Sequence, residues 1–285
     1  MSITKLTLSR GDNSIVLTRG KPYLLQKVIG LSELQADERI YQSANIDGAR
    51  YIDSILNIRE ITIDVAVIAD RYDMLMPLKE ELIKMCNPKA GVMTLTVENG
   101  NYIRTIEVVA DSVPNLSIKN NAFTSSGTIN LIAHKPLLLS EIELGENLNE
   151  WIGGWEMGWS FPVSFATRGS NTKNIINSGH VSTPLFITMY GLATNPKIEN
   201  KTTGEYIKIN KAVALGEILT INTEKGNKRV EITKPDGTLE SAFNYIDLNS
   251  TFFELRVGDN VLEYSCDELS SNDVYISYRY RYLGM

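Results

Sequence analysis

Short runs of alternating apolar and polar residues, each closed by a turn signal, restrict this chain to a mainly β fold. In the run 186–190, phenylalanine, threonine and tyrosine alternate with isoleucine and methionine. Asn195-Pro196 and Thr202-Thr203-Gly204 then interrupt the alternation twice before 211. Successive side chains of a strand point to opposite faces, so such runs predict strands with one buried side. The segment 177–211 is therefore predicted as strand, turn, strand, turn.

The second half of the chain repeats this pattern almost without interruption. Strands are predicted at 217–223, 229–233, 252–257, 261–265 and 274–282. Glycine-containing turn signals stand between some of them, at 225–227, 235–237 and 258–260. Regular short strands with no helical pattern are typical of an antiparallel sandwich.

The first half combines strands with one helix and one hairpin. Residues 61–67 form the strongest strand pattern, and the stretch 70–87 carries an apolar stripe of period 3.6, formed by Leu75, Leu78, Leu82 and Met85. Asn99-Gly100 predicts a hairpin over 91–109, whose strand edges are expected to be exposed. Pro136 cannot donate a ladder hydrogen bond, so we expect two domains, 1–135 and 136–285.

Composition and charge exclude two broad classes. The 285 residues are 43% hydrophobic, which is enough for full cores. Apolar runs stay below the roughly 18 residues of a membrane-spanning helix. Residues 1–135 hold 15 basic and 15 acidic side chains, whereas 136–285 hold 13 and 19 and account for the net charge of −6. This balance disfavours a sequence-reading nucleic-acid binder, which needs a basic face.

Residues suited to catalysis or metal binding are sparse. Cys86 and Cys266 are interpreted as reduced thiols, and only His134 and His180 could supply imidazole. Nucleotide-loop and serine-nucleophile motifs are absent. We therefore predict no catalytic, cofactor or metal residue. A glycosidase built on two carboxylates stays open, because 34 acidic residues allow many chance pairs.

All three tryptophans fall within one short stretch. Trp151, Trp155 and Trp159 recur at a helical spacing, although the intervening glycines weaken a helix. One hypothesis is an exposed aromatic platform for a protein partner or a sugar. The favoured interpretation is a loop whose indoles are buried against the second domain.

The terminal strand 274–282 poses the same choice. Tyr278 and Tyr280 share one face, whereas Arg279 and Arg281 share the other. A strand with its tyrosines on the core and its arginines in water is favoured. The alternative is a contact strip at a subunit boundary, where tyrosine and arginine are enriched.

The order of these motifs resembles that of one known family, the phage distal tail proteins. The run N-S-G-H-V-S-T-P at 177–184 and N-P-K-I-E-N-K-T-T-G at 195–204 are similar to its C-terminal half. Asp47–Arg50, Arg59–Ile63 and the helix ending in Asn87-Pro88 resemble its N-terminal half. The resemblance implies an N-terminal sandwich or split-barrel domain with one helix and a hairpin, followed by a galectin-like sandwich.

The resemblance also implies a structural role. Such proteins form a ring, expected to be hexameric, that joins the tail tube to the tail-tip hub and leaves a channel for DNA. Further expected partners are receptor-binding components, and no membrane insertion or turnover is expected. The N-terminus carries no apolar secretion segment, which predicts assembly in the host cytoplasm before incorporation at the virion tail tip. A module that binds host cell-wall glycans remains the alternative function.

Overall fold

The computed structural model describes residues 3–45, 47–118, 123–148, 151–152, 167–168, 171–267 and 272–285. The chain packs into two compact units. The first comprises Met1–Glu141 together with Tyr282–Met285, and the second comprises Ile142–Arg281. The second unit is thus an insertion in the sequence of the first. That residues 1–135 and 136–285 form separate domains stays a prediction.

The elements of the first unit are mostly strands. They are β1 (Lys5–Arg10), β2 (Asn13–Leu17), β3 (Tyr23–Ile29), β4 (Ala36–Tyr41), β5 (Arg50–Leu56), β6 (Arg59–Ile68), α1 (Tyr72–Met85), β7 (Met93–Asn99), β8 (Tyr102–Ala110), β9 (Ser117–Ile118), β10 (Thr124–Ala133) and β11 (Leu138–Ser140). A 3₁₀ turn at Pro88–Ala90 follows the helix.

The second unit is built from strands and a second 3₁₀ turn, Phe243–Tyr245. Its strands are β12 (Leu144–Asn147), β13 (Trp151–Ile152), β14 (Thr167–Arg168), β15 (Thr172–Asn177), β16 (Phe186–Gly191), β17 (Ala193–Thr194), β18 (Lys197–Asn200), β19 (Glu205–Lys208), β20 (Ala212–Val213), β21 (Ile218–Asn222), β22 (Arg229–Thr233), β23 (Leu239–Ser241), β24 (Gly258–Ser265) and β25 (Asn272–Tyr278). The last strand, β26 (Arg281–Tyr282), leads back to the first unit.

One large antiparallel sheet organises the first unit, in the order β2-β1-β7-β8-β10-β6-β3. Strand β6 pairs with β10 along its whole length and with β3 on its other side. Its alternation is as predicted, because Ile61, Ile63, Val65 and Val67 are all buried. These side chains join one core with β1, β7 and the helix.

Helix α1 covers this core with its apolar stripe. Leu75, Leu82 and Met85 are buried, and each full burial of such a side chain contributes about 1.5–3 kcal/mol. The Tyr23 hydroxyl on β3 donates to the Leu78 carbonyl oxygen at 3.0 Å and contacts Glu81 Oε2 at 2.7 Å. Burial and the neighbouring Glu81 carboxylate raise the pKa of Tyr23. The hydroxyl therefore stays protonated and fixes the helix to the sheet.

The second unit is a two-sheet antiparallel sandwich. A six-stranded sheet, β12-β25-β16-β21-β22-β23, and a four-stranded sheet, β15-β24-β18-β19, contribute inward side chains to one core. Together with the mainly β first unit and its helix, this confirms the predicted fold class.

Two strand predictions and one turn prediction in the second unit are wrong in detail. Residues 252–257 contribute only an isolated bridge at Leu255, and the predicted turn 258–260 instead opens β24. The predicted terminal strand 274–282 is broken, because β25 ends at Tyr278 and pairing resumes only at Arg281. The alternation continues past this break, so periodicity alone did not reveal it.

Two buried asparagine side chains, Asn177 and Asn200, form hydrogen bonds that stabilise turns in the segment 177–211. Asn177 donates to the carbonyl oxygens of Val181 and Leu255 and accepts from the Gly179 amide. Asn200 accepts from the Thr202 amide and donates to Asn260 at 3.3 Å. A short amide that satisfies main-chain groups inside a turn has a structural role, which explains this part of the N-x-G and N-K-T-T-G pattern.

Candidate subunit interface

A two-stranded arm, formed by β4 and β5, is the most exposed ordered element among the described residues. The two strands pair with one another, in the register Ala36↔Leu56 to Tyr41↔Arg50, and with no other described strand. Every residue in both strands is exposed. A single hairpin is at best marginally stable in water, which makes this arm a candidate for contact with a partner.

The arm exposes apolar side chains that a surface strand would normally avoid. Ile40, Tyr51 and Ile52 expose 53%, 58% and 61% of their surface. Cross-strand pairing sets Ile40 opposite Tyr51 and Ala36 opposite Leu56, whereas Arg39 lies opposite Asp53. The arm therefore exposes apolar pairs towards both of its ends, and the polar pairs Glu38–Ser54 and Arg39–Asp53 lie between them. Apolar exposure of this kind marks protein-interaction surfaces.

The base of the arm is fixed by local hydrogen bonds. The Asn57 amide N–H donates to the Gln35 carbonyl oxygen at 2.9 Å, and Asn57 Nδ2 donates to Asp37 Oδ1 at 2.9 Å. A groove of about 540 Å³ lies at this base, lined by residues that include Glu33, Leu34 and Ile58. The arm is therefore held in register at its root and uncovered along its length.

The hairpin predicted to offer a free edge does not do so. Strand β7 pairs with β1 on one side and with β8 on the other. Strand β8 is also paired on its outer side, with β11 at Thr105 and with β10 at Ala110. The prediction of an exposed 91–109 edge is wrong, because the sequence defines the hairpin but not its neighbours in the sheet.

The arm was missed as an interface, although a signal for it exists. Asp47-Gly48 is a hairpin turn signal, and Gly48 adopts φ +90°. Ile-Tyr at 40–41 precedes this turn and Tyr-Ile at 51–52 follows it. The sequence therefore contains the hairpin, but exposure on both faces is a tertiary property.

The structure separates the members of the predicted terminal strip. Tyr278 is buried in the second core, whereas Arg279, Tyr280 and Arg281 are half-buried. The Tyr280 hydroxyl donates to the Ile176 carbonyl oxygen at 3.0 Å, and Arg281 Nη2 lies 3.2 Å from Glu224 Oε1. Burial raises the pKa of Tyr278. A contact role for these four residues stays a prediction.

The tryptophan cluster falls mostly outside the described residues. Trp151 pairs with Arg168 in the short β13–β14 ladder. Trp155 and Trp159 lie outside the described ranges. Whether the indoles form a platform or a buried loop stays a prediction.

Aromatic side chains stand instead on the outer face of the six-stranded sheet. Phe186 and Tyr190 on β16 and Tyr275 on β25 are exposed. The Tyr190 and Tyr275 rings meet edge to face with centroids 6.1 Å apart. Thr188 lies opposite both Tyr275 and Thr220 in the ladders. Sequence reasoning missed this face because its residues come from strands distant in sequence.

The remaining cysteines and histidines that the structure describes do not form a metal-binding cluster. Cys86 is buried, which raises the pKa of its thiol to about 12, and Cys266 is half-buried. In the described parts of the chain, His, Cys, Asp and Glu side chains nowhere gather in a group that could hold a metal ion. Within the same residues, we find no helix with the length and apolarity required to cross a membrane.

Two family models match the sequence, one in each part of the chain. The phage tail protein RIFT-related domain matches residues 13–133. The siphovirus-type tail component, C-terminal domain, matches residues 178–282. The two matches together extend over most of the chain and run in the order that the motif resemblance implied.

Solved structures similar to this chain also come from phage tails. The crystal structure of phage SPP1 Dit, described as a paradigm of the hub adsorption apparatus in phages that infect Gram-positive bacteria, is 14% identical. The match covers 97% of this chain and 98% of that one, with a TM-score of 0.68. A chain of the phage P2 baseplate, in its activated conformation with Ca, is 12% identical over 96% of this chain and 97% of its own, with a TM-score of 0.51. No curated protein matches the sequence significantly.

Proposed function

This chain belongs to the siphovirus-type tail component family, the phage distal tail proteins, and on that premise we propose that its first unit assembles into a closed ring through the arm. The chain is a structural component of the phage tail and its hub. The proposal adds the ring, expected to be hexameric from the family resemblance, and a central channel through which DNA passes. Assembly would take place in the host cytoplasm, before incorporation at the tail tip.

The exposed apolar side chains of the arm are the observation that carries this proposal. Ile40 and Tyr51 would leave water on contact with a neighbouring copy, and burial of a side chain of this size stabilises by about 1.5–3 kcal/mol. The unpaired ladder edges of the arm also allow strand addition to a neighbour.

A ring requires a heterologous contact, in which one surface of each copy meets a different surface of the next. An arm that extends from one place on the subunit suits such a contact, because it need not be self-complementary. Closure then leaves two ring faces, one for the tail tube and one for the tail-tip hub. The second unit would carry receptor-binding components, and no turnover is involved.

The charge distribution supports a passage for DNA and disfavours a binding site for it. The first half of the chain is neutral, with 15 basic and 15 acidic residues. Tight binding of phosphate depends on neutralisation by many lysines or arginines. A neutral ring would let the nucleic acid slide through.

Light scattering and negative-stain electron microscopy of the purified chain test the ring. We expect rings with a central hole and a mass about six times the 31.8 kDa of one chain. The arm variant Ile40→Ser/Tyr51→Ser should be folded and monomeric at the same concentration. The matched control Ile176→Ser, which changes an exposed isoleucine of the second unit, should still form rings. The proposal is contradicted if the wild-type protein stays monomeric even after the tail-tube and hub proteins are added to it.

Binding of host cell-wall glycans is a second candidate function, favoured by the aromatic face of the second unit. Exposed rings stack on the apolar faces of sugars, and Thr188 and Thr220 add hydroxyl groups that can bond to sugar hydroxyls. Tyr190→Ala/Tyr275→Ala should abolish saturable binding to purified wall polysaccharide, whereas Tyr102→Ala in the first unit should leave it unchanged. Equal binding by both variants, or none by the wild type, removes this function.

A further inference from the structure

Arg59 is a buried cation whose described hydrogen bonds all go to main-chain carbonyl oxygens. Its side chain is 1% exposed, and burial lowers the pKa of the guanidinium. Nη2 donates to Leu283 at 2.6 Å, and Nε donates to Pro136 at 2.7 Å. Nη1 approaches three further carbonyls, those of Gly30 at 2.7 Å, Leu31 at 3.0 Å and Glu33 at 3.2 Å. Loss of the Leu283 or the Pro136 carbonyl would leave a buried charged donor short of a partner, which is costly.

Apart from Pro136, the acceptors of Arg59 come from the root of the arm and from the C-terminal segment. Gly30, Leu31 and Glu33 lie just before β4, and Arg59 itself follows β5 after only Asn57 and Ile58. The guanidinium therefore joins the two roots of the arm to Leu283, close to the C-terminus.

The C-terminal segment Tyr282–Met285, here called the clasp, is fixed at further points. The Arg104 guanidinium stacks on the Tyr282 ring at 3.8 Å and donates to the Gly284 carbonyl oxygen. A Cβ at Gly284 would lie 3.0 Å from the Ser32 carbonyl oxygen, so the clasp packs closely on the loop that leads into the arm. Met285 packs against the core of the first unit.

We propose that the clasp positions the root of the arm through Arg59, so that the last residues of the chain control the order of the ring interface. The clasp acts as a positioning element and makes no contact with a neighbouring copy itself. The effect of the clasp on the ring rests on the proposed function, because it requires that the arm forms the contact between copies.

Hydrogen–deuterium exchange of the dilute, monomeric full chain tests the coupling. Removal of residues 283–285 should speed exchange of amides in residues 31–41 and 50–57 by about tenfold, because opening of the root becomes easier. Arg59→Met should give the same local increase. In the doubly changed chain the two effects should not add, since both remove the same bridge. Amides of β7 and β8 should keep their wild-type rates.

Two milder variants keep the test decisive should the truncation fail to fold. Gly284→Val leaves the chain complete but presses on Ser32, so it should accelerate the same amides by a smaller factor. Deletion of Met285 alone keeps the carbonyls of Leu283 and Gly284 and removes one packing contact of the clasp, so it should accelerate the same amides less than removal of residues 283–285 does. Wild-type exchange in the root after Gly284→Val and after Arg59→Met overturns the inference. An equal increase in the exchange rates of β7 and β8 amides also overturns it, because such an increase indicates general destabilisation.

The readout separates this inference from the proposed function. Exchange is measured on the monomer, whereas ring formation is measured by mass and microscopy. Rings without clasp coupling would reject the inference alone. If the clasp variants accelerate exchange at the arm root but the protein never forms rings with its tail neighbours, the proposed ring is rejected and the positioning role of the clasp is kept.

Discussion

Two hairpins of the first unit, β7–β8 and the β4–β5 arm, share a turn chemistry and differ in their surroundings. Both have a glycine with positive φ between their strands, Gly100 at +61° and Gly48 at +90°, although the connection of the arm, residues 42–49, is the longer one. The first hairpin is paired on both sides and buries Leu95 and Val97 completely. Among the strands that the structure describes, the two strands of the arm pair only with each other, and all of their residues are exposed.

The difference shows where each hairpin contributes its free energy. Apolar residues of β7 stabilise the monomer, because they leave water when the first unit folds. Apolar residues of the arm can leave water only on contact with another molecule. Matched substitutions in the two hairpins should therefore separate folding from assembly.

The largest expected contrast concerns apolar truncation. Leu95→Ala should lower the free energy of unfolding of the first unit by about 2–5 kcal/mol, since it opens a cavity in a packed core. Ile40→Ala should change it by less than about 0.5 kcal/mol, because that side chain is exposed. Urea unfolding followed by pulsed hydrogen exchange measures both. Tryptophan fluorescence is unsuitable, since all three tryptophans lie at 151–159. A large loss with Ile40→Ala would show that the arm packs in the monomer.

A smaller contrast concerns the two turn glycines. A Cβ at Gly100 or at Gly48 would contact nothing within 4 Å, so only the backbone conformation matters. Gly100→Ala should cost about 1–2 kcal/mol of first-unit stability, the usual penalty of a left-handed residue. Gly48→Ala should leave global unfolding unchanged and speed only arm exchange. Equal losses in the same pulsed-exchange assay would indicate that the arm folds cooperatively with the core.

The smallest contrast concerns two ion pairs. Lys5 Nζ lies 2.7 Å from Glu98 Oε1 across the β1–β7 ladder, and Arg39 Nη1 lies 3.8 Å from Asp53 Oδ2 on the arm. Glu98→Gln should reduce stability by about 0.2–1 kcal/mol at low salt, with a smaller effect at high salt. Asp53→Asn should have no measurable effect in the same urea titrations. A salt-independent loss for Glu98→Gln would point to a packing effect.

Much of the fold follows from local sequence patterns. The strand 61–67, the stripe of α1 and the Asn99-Gly100 hairpin are signalled within a few residues, and the structure contains all three. The positions at which strands end are less predictable. β25 ends at Tyr278 although the alternation runs on to Tyr282, because tertiary partners and not periodicity decide where pairing stops.

The candidate interface is less predictable from the sequence than the fold. The sequence contains the Asp47-Gly48 turn, but it cannot show that the arm lacks a sheet partner while β7–β8 has one on each side. The clasp is further removed from sequence reasoning, since Arg59 and Leu283 are brought together only by the return of the chain end to the first unit. Long-range contacts between irregular segments leave no periodic signal.

Exchange protection of the arm on assembly tests the central claim most directly. Amides of 36–41 and 50–56 should exchange rapidly in the dilute monomer and become protected by about tenfold or more in the assembled ring, whereas those of β7 and β8 stay unchanged. Arm amides that exchange equally in both states, while protection arises elsewhere, would contradict the account.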